Sequence, residues 1–517
     1  MQKNLVLAVV LSSLVYIGWY SFVEKKLQPQ RAQAAQQQAA AAGTPAPSAG
    51  STASASQAPA ALPVSAELKK ETLSIKAGKA EYVFYSGAAA MKSVVYQGPV
   101  APVELIPDQE TGFFASSLPG AFRLKSKTAD SLEFEASPQP GLLVTKKFTF
   151  SADNSLNSLS VTASNISSKA QLLPAWELSM GPGLGTVASE EKENPKLWKA
   201  VYTYKEDGRK HPTLKDLKSL KGDPARAEWV WAGLDNRYFL AAITGDGLSG
   251  IRPLRREAMI KEDKAPLLAL PVPATELKAG EKRSWETQFY IGPKDYAKLK
   301  AMGHGLDRSV DFGFFAPLAK LANSSIVYFH KLTGNYGAAI IILSVLIQLM
   351  LTPLSFKSFK AMAVMKKIQP EMQAIQKKYK DDPKRMNAEV MDLYKRHGTN
   401  PLGGCLPMLL QIPVFFALFT ALRESWALHG APFVFWIKDL SAKDPFYVLP
   451  LVMGGIMFLQ QHLSPQTSDP SQAAMMKWMP VIFTFMFLTF PSGLVLYWLI
   501  NSTWGFAQTM YLQKTTK

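Results

Sequence analysis

Alternating hydrophobic and polar positions mark one large region of the chain, residues 66–292. In one run Leu142, Val144, Phe148 and Phe150 keep a spacing of two, and in another Trp285, Thr287, Phe289 and Ile291 alternate with Glu286, Gln288 and Tyr290. A period of two is typical of a half-buried strand, and Gly, Pro, Asn and Asp separate such runs. We therefore predict an antiparallel β-sandwich that buries its own core. Further strands are expected at 81–85, 93–97, 158–163, 228–231 and 238–244.

Residues 4–23 form an apolar run at the start of the chain. Its length matches the roughly 30 Å hydrocarbon core of a bilayer. Lys3 would also suit a cleavable signal peptide, but the run ends in Trp19 and Tyr20 and meets Glu24 and Lys25 instead of a small-residue cleavage site. We expect an uncleaved anchor. Residues 24–65, rich in Ala, Gln, Ser and Pro, follow as a linker with almost no residue able to form a core.

An amphipathic helix is predicted between the sandwich and the next apolar run. Within residues 311–332, Phe314, Leu318, Leu321 and Tyr328 recur at helical spacing. This pattern fits a helix lying on the membrane surface, and also a helix packed on the sandwich. The membrane surface is favoured because an apolar run follows at once.

The second apolar run, residues 333–355, carries three polar residues on one face. Ser344, Gln348 and Thr352 are spaced by four, so they share one side of a helix. Two hypotheses stay open here. One is hydrogen bonding between helices, worth about 0.6 kcal/mol per bond in membranes, and the other is a water-accessible groove.

The third run, residues 400–425, is long enough to cross a bilayer but is interrupted by glycines, prolines and Gln411. A helix that only anchors the chain has no need of these interruptions. Three more runs follow, and the last contains Tyr497, Trp498 and Asn501, which is more polarity than an anchor requires.

Residues 356–399 form a basic segment with an apolar stripe. The sequence DDPK at 381–384 indicates a turn and a helix start, so we predict an antiparallel helical hairpin. Its charge fits a solvated loop that obeys the positive-inside rule, and also a docking surface that contacts the phosphates of an anionic partner such as ribosomal RNA. The candidate docking residues are Lys366, Lys367, Lys377, Lys378, Lys380, Lys384 and Arg385.

Composition agrees with a membrane protein that carries a large water-exposed domain. The 517-residue chain is 47% hydrophobic and has a net charge of +17. Much of the positive charge flanks apolar runs, which places the basic hairpin in the cytoplasm. The result is six transmembrane helices, with both termini inside and the sandwich outside.

These elements give the predicted domain boundaries. In chain order they are anchor 1–23, linker 24–65, β-sandwich domain 66–310, interfacial helix 311–332, transmembrane helix 333–355, cytoplasmic hairpin 356–399, transmembrane helix 400–425, outer loop 426–446, transmembrane helix 447–462, cytoplasmic loop 463–474, transmembrane helices 475–490 and 493–512, and tail 513–517.

The sequence has no pattern for catalysis or for a cofactor. It lacks a glycine-rich phosphate loop, its histidines are scattered, and the one cysteine, Cys405, excludes a disulfide framework and a cysteine metal cluster. We therefore predict no cofactor, no metal and no small-molecule substrate. The sandwich is expected to be a spacer or binding module, with a hydrolase or a glycan-binding site as alternatives. A small-solute transporter is a further alternative, although inverted repeats and paired ionisable residues at mid-membrane are lacking.

Four stretches together resemble the YidC membrane insertases of the Gram-negative type. They are GNYGAAIIILSVLIQLMLTP at 334–353, NPLGGCLPMLLQIPVFFALF at 400–419, WIKDLSAKDPFYVLP at 436–450 and PSGLVLYW at 491–498. The resemblance is specific over residues 312–512, and over residues 66–292 it rests on architecture alone.

The resemblance implies an inner-membrane insertase and chaperone, which is not an enzyme. Such proteins have a periplasmic β-supersandwich and a five-helix membrane core around a hydrophilic groove. They move hydrophobic segments of nascent membrane proteins from the cytoplasm into lipid, alone or with the Sec translocon and its accessory subunits. The hairpin would receive the ribosome or the signal-recognition targeting machinery. The groove residues carried over are Ser344, Gln348, Thr352, Gln411, Tyr497, Trp498 and Asn501.

The sequence departs from the family pattern at two places. Most members carry an arginine or another base where this chain has Gln348, so the groove is expected to be hydrated without attracting acidic substrate tails. The tail at 513–517 is also short, so a long ribosome-binding extension is not expected.

Overall fold

The computed structural model describes residues 72–153, 155–205, 208, 212–219, 228–398, 406–463 and 470–515. The predicted anchor at 1–23, the linker at 24–65 and residues 400–405 of the third run lie outside the described residues. Of the described residues, those within 72–359 and 406–515 form one compact unit, and residues 360–398 belong to another.

Short strands fill the region with alternating hydrophobicity. They are β1 (Thr72–Ala77), β2 (Ala80–Tyr85), β3 (Ala90–Gln97), β4 (Pro102–Glu104), β5 (Ala115–Ser116), β6 (Arg123–Lys127), β7 (Ser131–Gln139), β8 (Leu142–Thr149), β9 (Asn157–Asn165), β10 (Gln171–Leu173), β11 (Trp176–Met180), β12 (Lys199–Tyr204), β13 (Thr213–Asp216), β14 (Trp229–Asp235), β15 (Phe239–Thr244), β16 (Leu254–Ile260), β17 (Asp263–Val272), β18 (Thr275–Leu277) and β19 (Lys282–Pro293).

A nine-stranded sheet is the main layer of this domain. Its order is β13-β12-β14-β15-β19-β9-β8-β7-β6, and two four-stranded sheets, β1-β2-β3-β4 and β16-β17-β11-β5, accompany it with a small β10-β18 pair. The described strand pairs are antiparallel. This arrangement confirms the predicted antiparallel β-rich domain, and the strands expected at 81–85, 93–97, 158–163, 228–231 and 238–244 coincide with β2, β3, β9, β14 and β15 within a few residues.

Aromatic side chains join the sheets. The ring centroids of Phe84 on β2 and Phe148 on β8 are 4.8 Å apart, and those of Trp176 on β11 and Trp285 on β19 are 5.6 Å apart. Each such residue removes a large apolar area from water, which makes it a main source of stability for the sandwich.

The position of Tyr290 differs from the one that the alternating pattern predicted. This residue was expected on the polar side of β19, but only 3% of it is exposed. The second face of the nine-stranded sheet is covered here, and Tyr290 packs in a cluster with Leu240, Leu299 and Leu306. Its hydroxyl donates to the carbonyl of Pro293 at 2.7 Å, so its polar atom is satisfied inside the cluster.

The described α-helices lie mainly after the sandwich. They are α1 (Asn194–Leu197), α2 (Tyr296–Met302), α3 (Ala316–Thr333), α4 (Tyr336–Lys378), α5 (Pro383–Arg396), α6 (Leu406–Arg423), α7 (Val448–Leu463), α8 (Pro470–Phe487) and α9 (Ser492–Thr515). Among the described residues, Tyr336–Ser358 is the stretch long and apolar enough to cross a membrane, and 409–423, 448–463 and 477–487 are shorter apolar helices.

Several helix boundaries differ from those expected. Helix α3 begins at Ala316 instead of 311, and α9 continues to Thr515, past the predicted start of the tail at 513. Helix α4 continues through Pro353 to Lys378, whereas a new segment was predicted from residue 356. Proline is tolerated inside membrane helices because nearby groups satisfy the backbone that it leaves free. Helix α8 begins at Pro470, five residues before the predicted start at 475, because proline fits the first turn of a helix.

The basic segment forms the predicted antiparallel hairpin. The Tyr394 hydroxyl on α5 lies 3.3 Å from the Met372 sulfur on α4, and His397 Nε2 lies 3.7 Å from Glu371. Asp382 caps α5 by accepting a hydrogen bond from the Arg385 backbone N–H at 3.1 Å. The DDPK sequence therefore makes the turn that it predicted.

Helix α3 turns the large apolar residues of its predicted stripe outward, whereas Ile326 is buried on the opposite face. Phe314, just before the helix, is 92% exposed, and Leu321 and Tyr328 are 65% and 59% exposed. The opposite face buries small residues, Ala319 and Ala322. These exposed residues therefore do not pack on the sandwich, and the position of α3 on the membrane surface stays a prediction.

Trp426 joins the helical region to the sandwich. It lies three residues after the end of α6, and its ring centroid is 5.0 Å from Phe239 and 6.1 Å from Tyr96 of the sandwich. His429 stacks on the other side at 5.1 Å. Nearby, Lys294 Nζ lies 2.9 Å from Asp235 in a buried ion pair. The end of α6 is thereby fixed on the sandwich.

Lys146 is a buried charge that the sequence pattern did not reveal. It faces the core of β8 with Leu142, Val144 and Phe148, and 1% of it is exposed. Its ammonium donates to the carbonyl of Phe114 and lies 5.6 Å from the Phe148 ring. Burial disfavours the charged form and lowers the pKa of Lys146 from 10.5 to about 7.

We expect the sandwich to gain stability as the pH rises from about 7 to 10.5, the interval between the folded and unfolded pKa values of Lys146. In that interval the unfolded chain binds more protons than the folded one, so the slope for this group is at most about 1.4 kcal/mol per pH unit. Lys146→Met should be more stable than the parent at pH 7, and the difference should shrink toward pH 10. The free energy of unfolding at each pH can be measured by unfolding the full chain in urea and using protease cleavage within the sandwich to detect the unfolded fraction. Parallel pH profiles in the two proteins would contradict it.

Candidate functional site

The polar residues of α4 face a second polar stripe on α9. Gln348, 9% exposed, donates its amide N–H to the side-chain oxygen of Asn501. The Thr352 hydroxyl oxygen accepts from Gln508 at 2.9 Å and from Trp504 at 3.2 Å. The same hydroxyl donates to the Gln348 carbonyl at 2.7 Å, so its one proton and two lone pairs are all used.

Ser344 does not take part in this contact. It is 1% exposed, and its hydroxyl donates to the carbonyl of Ile340 on its own helix at 2.6 Å. Of the three residues on the predicted stripe, two therefore bond to another helix. The structure supports the interhelical hypothesis for Gln348 and Thr352, and it shows a bond within the helix for Ser344.

A second polar contact joins α6 to α9. The Gln411 amide donates to the Tyr497 hydroxyl at 2.7 Å, and Tyr497 is 1% exposed. Gln411 lies two residues before Pro413, which stands inside α6. The third and sixth predicted spans are thus joined by a hydrogen bond between neutral side chains.

Trp498 lies beside this polar face, in an aromatic cluster. Its ring centroid is 4.9 Å from Phe415, 5.3 Å from Phe487 and 5.8 Å from Phe483. One residue along a helix turns the side chain by about 100°, so Trp498 and Tyr497 point to different neighbours. Trp498 packs α6, α8 and α9 together by apolar contact.

Trp504 and Gln508 belong to the polar contact but were not predicted. Tyr497, Asn501, Trp504 and Gln508 are spaced 4, 3 and 4 residues apart, which puts them on one face of α9. That spacing was readable in the sequence. The side-chain nitrogen of Asn501 is buried and has no hydrogen-bond partner in the part of the chain that the structure describes.

The candidate docking residues cluster near the turn of the hairpin. Lys378 and Arg385 lie 5.3 and 5.2 Å from the ring of Tyr379. Lys377, Lys380 and Lys384 are exposed beside them, and Lys367 is exposed ten residues earlier on α4. The side chain of Lys366 lies outside the described residues.

Metal binding has no support from the described ranges. Within them, no three His, Cys, Asp or Glu side chains form a group that could hold a metal ion. Cys405 and His211 lie outside these ranges. The chemistry available at the helical site is therefore that of neutral amides, hydroxyls and indoles.

Thr352→Val should lower the stability of the full chain by about 1 kcal/mol, because it removes the acceptor for Gln508 and Trp504 while keeping the side-chain shape. Ser344→Ala is the matched control on the same helix, and it should have a smaller effect because the lost bond lies within α4. Thermal unfolding of the purified protein in detergent measures both. Equal loss in the two variants would mean that the contact between α4 and α9 contributes nothing specific.

Two family models match this chain. One, described as 60Kd inner membrane protein, matches residues 328–517, and the other, described as YidC periplasmic domain, matches residues 62–322. The boundary between the matches falls within α3, where the sandwich gives way to the helical region.

Curated relatives match over the full length. The membrane protein insertase YidC of Endomicrobium trichonymphae is 36% identical over 99% of this chain and 98% of its own length. That of Geobacter metallireducens is 35% identical over 100% of this chain and 99% of its own length. A crystal structure of an active YidC insertase with its first transmembrane domain resolved covers 86% of this chain and 93% of its own, with 18% identity and a TM-score of 0.39.

The full-length relatives decide between the functions left open by the sequence. They are insertases, which are not catalytic enzymes, and they set aside the small-solute transporter and the anchored glycan-binding protein as readings of the whole chain. The chain belongs to the YidC family of membrane protein insertases.

Proposed function

We propose that this insertase receives the polar parts of a nascent membrane protein at the face shared by α4, α6 and α9. The substrate's apolar segment then moves sideways into lipid, which is favourable because apolar surface leaves water. The observation that carries the proposal is the set of partly buried hydrogen bonds between neutral side chains that joins Gln348, Thr352 and Gln411 to α9.

Neutral side chains suit a site that must open and close. Hydrogen bonds between membrane helices are worth only about 0.6 kcal/mol on average, so an incoming polar group replaces them at little cost. An amide both donates and accepts, and it can therefore pair with either the N–H or the C=O of a substrate backbone. Such pairing matters because an unsatisfied backbone group in the bilayer costs several kcal/mol. No catalytic chemistry, cofactor or small-molecule substrate is needed for this step.

Gln348 gives the site a different selectivity from one with a basic residue. A charge at this depth costs about 2.5–3.5 kcal/mol, and it would attract acidic substrate tails. The amide at this position hydrates and hydrogen-bonds without Coulombic attraction. We propose that substrates are therefore chosen by hydrophobicity and by the polarity of the translocated end.

The proposal includes a topology. Six spans would cross the inner membrane, the last five forming the core, with both termini cytoplasmic and the sandwich periplasmic. The basic hairpin supports this orientation through the positive-inside rule. Helices 448–463 and 477–487 are short for a core of roughly 30 Å, so the bilayer would be thinned around them.

The hairpin would receive the ribosome or the signal-recognition machinery on its exposed basic turn. The support is the cluster of Lys377, Lys378, Lys380, Lys384 and Arg385 beside Tyr379. Insertion would proceed alone or beside the Sec translocon and its accessory subunits, in keeping with the four sequence stretches shared with the family.

A photo-crosslinker placed at Gln348, Gln411 or Trp498 should form adducts with a transmembrane segment held on a stalled ribosome. The matched control is Met350, two residues from Gln348 on α4 and 71% exposed. Ile341, an apolar residue on the same helix, would be a poor control because it packs against the helical core. Equal adducts at 348 and 350, or none at 348 in an active protein, would remove the polar face from the substrate path.

Reversing the charge of Lys377, Lys378 and Lys380 to Glu should weaken co-sedimentation with ribosomes. Each lost phosphate contact should also reduce the slope of log affinity against log salt by about 0.7–0.9. The matched control reverses Lys261, Lys264 and Lys282, three exposed lysines of the sandwich. An unchanged salt slope would leave the hairpin as a solvated cytoplasmic loop.

A further inference from the structure

A cleft lies between the sandwich and the start of α3. Its volume is about 380 Å³, and strands β12 and β13 form one wall while residues 308–313 and α3 form the other. Four basic side chains line it, namely Lys199, Lys215, Arg308 and Lys320. The proposed path of the substrate does not use this cleft.

The acidic side chains in the lining are largely taken by other partners. Asp235 is 2.9 Å from Lys294, and Asp216 is 3.7 Å from Arg255; neither of these bases belongs to the lining. Asp311 accepts the backbone N–H of Gly313 at 2.9 Å and is exposed. The cleft therefore retains a net positive charge.

Arg308 is the clearest sign of an anionic ligand. It is half-buried, and its guanidinium has no hydrogen-bond or ion-pair partner within the described ranges. Lys320 is also half-buried, and its ammonium faces the rings of Tyr296 and Phe312 at 5.4 and 5.9 Å. Burial and the positive charge of Arg308 lower the pKa of Lys320. A bound anion would relieve this repulsion.

We propose that this cleft binds the phosphate of an anionic phospholipid headgroup. A guanidinium donates two parallel hydrogen bonds to phosphate oxygens, and ammonium groups add point charges around them. The cleft is compact enough for a headgroup. The proposal rests on the membrane topology of the proposed function, and it places α3 on the membrane surface as the sequence predicts.

The position of α3 favours a lipid over a soluble phosphate. Lys320 lines the cleft, whereas Phe314, Leu318 and Leu321 are exposed. Headgroups occupy about 5–8 Å beyond each side of the hydrocarbon core. An interfacial helix buries its apolar face about 5–10 Å into this boundary, so its other face lies at the level of the phosphates.

Native mass spectrometry of the full chain in detergent, titrated with phosphatidylglycerol or phosphatidylcholine, tests the proposal. Arg308→Gln should weaken the tightest phosphatidylglycerol binding about tenfold and leave phosphatidylcholine unchanged, because one charge-assisted contact is lost. Lys199→Gln, at an exposed position that does not endanger folding, should give a smaller loss. Lys331→Gln, exposed on the same helix, is the matched control and should have no effect.

Other outcomes would overturn the proposal. The proposal is wrong if the parent, Arg308→Gln and Lys199→Gln all bind phosphatidylglycerol equally well. Displacement of the lipid by millimolar inorganic phosphate would assign the cleft to a soluble phosphate, and tighter binding of a polyglutamate peptide would assign it to acidic protein segments. An environment-sensitive fluorophore at position 321 separately reports whether α3 lies in the bilayer surface, and crosslinking at Gln348 separately reports the substrate path.

Discussion

The requirement that polar groups be satisfied away from water governs the helical half of this insertase. In the hydrocarbon region each amide or hydroxyl must find a partner within the protein. Gln348 and Thr352 on α4 find theirs on α9, and Gln411 on α6 finds its partner there too. Helix α9 is therefore the common partner of two other helices, and its polar face sets how closely they approach.

The sandwich also holds one of these helices, α6. Trp426 follows α6 and sits among aromatic rings of the sandwich, while Lys294 and Asp235 pair nearby. Trp426 thus places the C-terminal end of α6 on the sandwich, and earlier in the helix Gln411 and Phe415 contact Tyr497 and Trp498 of α9. Helix α6 is therefore held both by the sandwich and by α9. Another pair of helices, α7 and α8, packs closely because Gly454 of α7 has no side chain. A Cβ atom at that position would overlap the Thr484 hydroxyl of α8.

The sequence predicted local secondary structure, but it did not predict which residues far apart in the chain contact each other. The alternation in β8 and the DDPK turn follow from local chemistry, and both are present. Tyr290 violates the pattern because burial depends on what covers a strand, which a period of two does not state. Lys146 keeps the period of two, since it shares the inward face of β8, but its charge is unexpected there. The stripe of Ser344, Gln348 and Thr352 was recognised, but only the structure shows that Ser344 bonds to its own helix. The stripe of Trp504 and Gln508 on α9 was available and was missed.

The uncharged character of Gln348 has a consequence for energetics across the membrane. A potential of 100 mV does work of about 2.3 kcal/mol on each elementary charge that crosses it. The amides, hydroxyls and indoles that join α4, α6 and α9 carry no net charge, so the field does no such work when these contacts separate. Any voltage dependence of insertion would then come from the charges of the client itself, and the same protein would be driven forward or held back according to which client it carries.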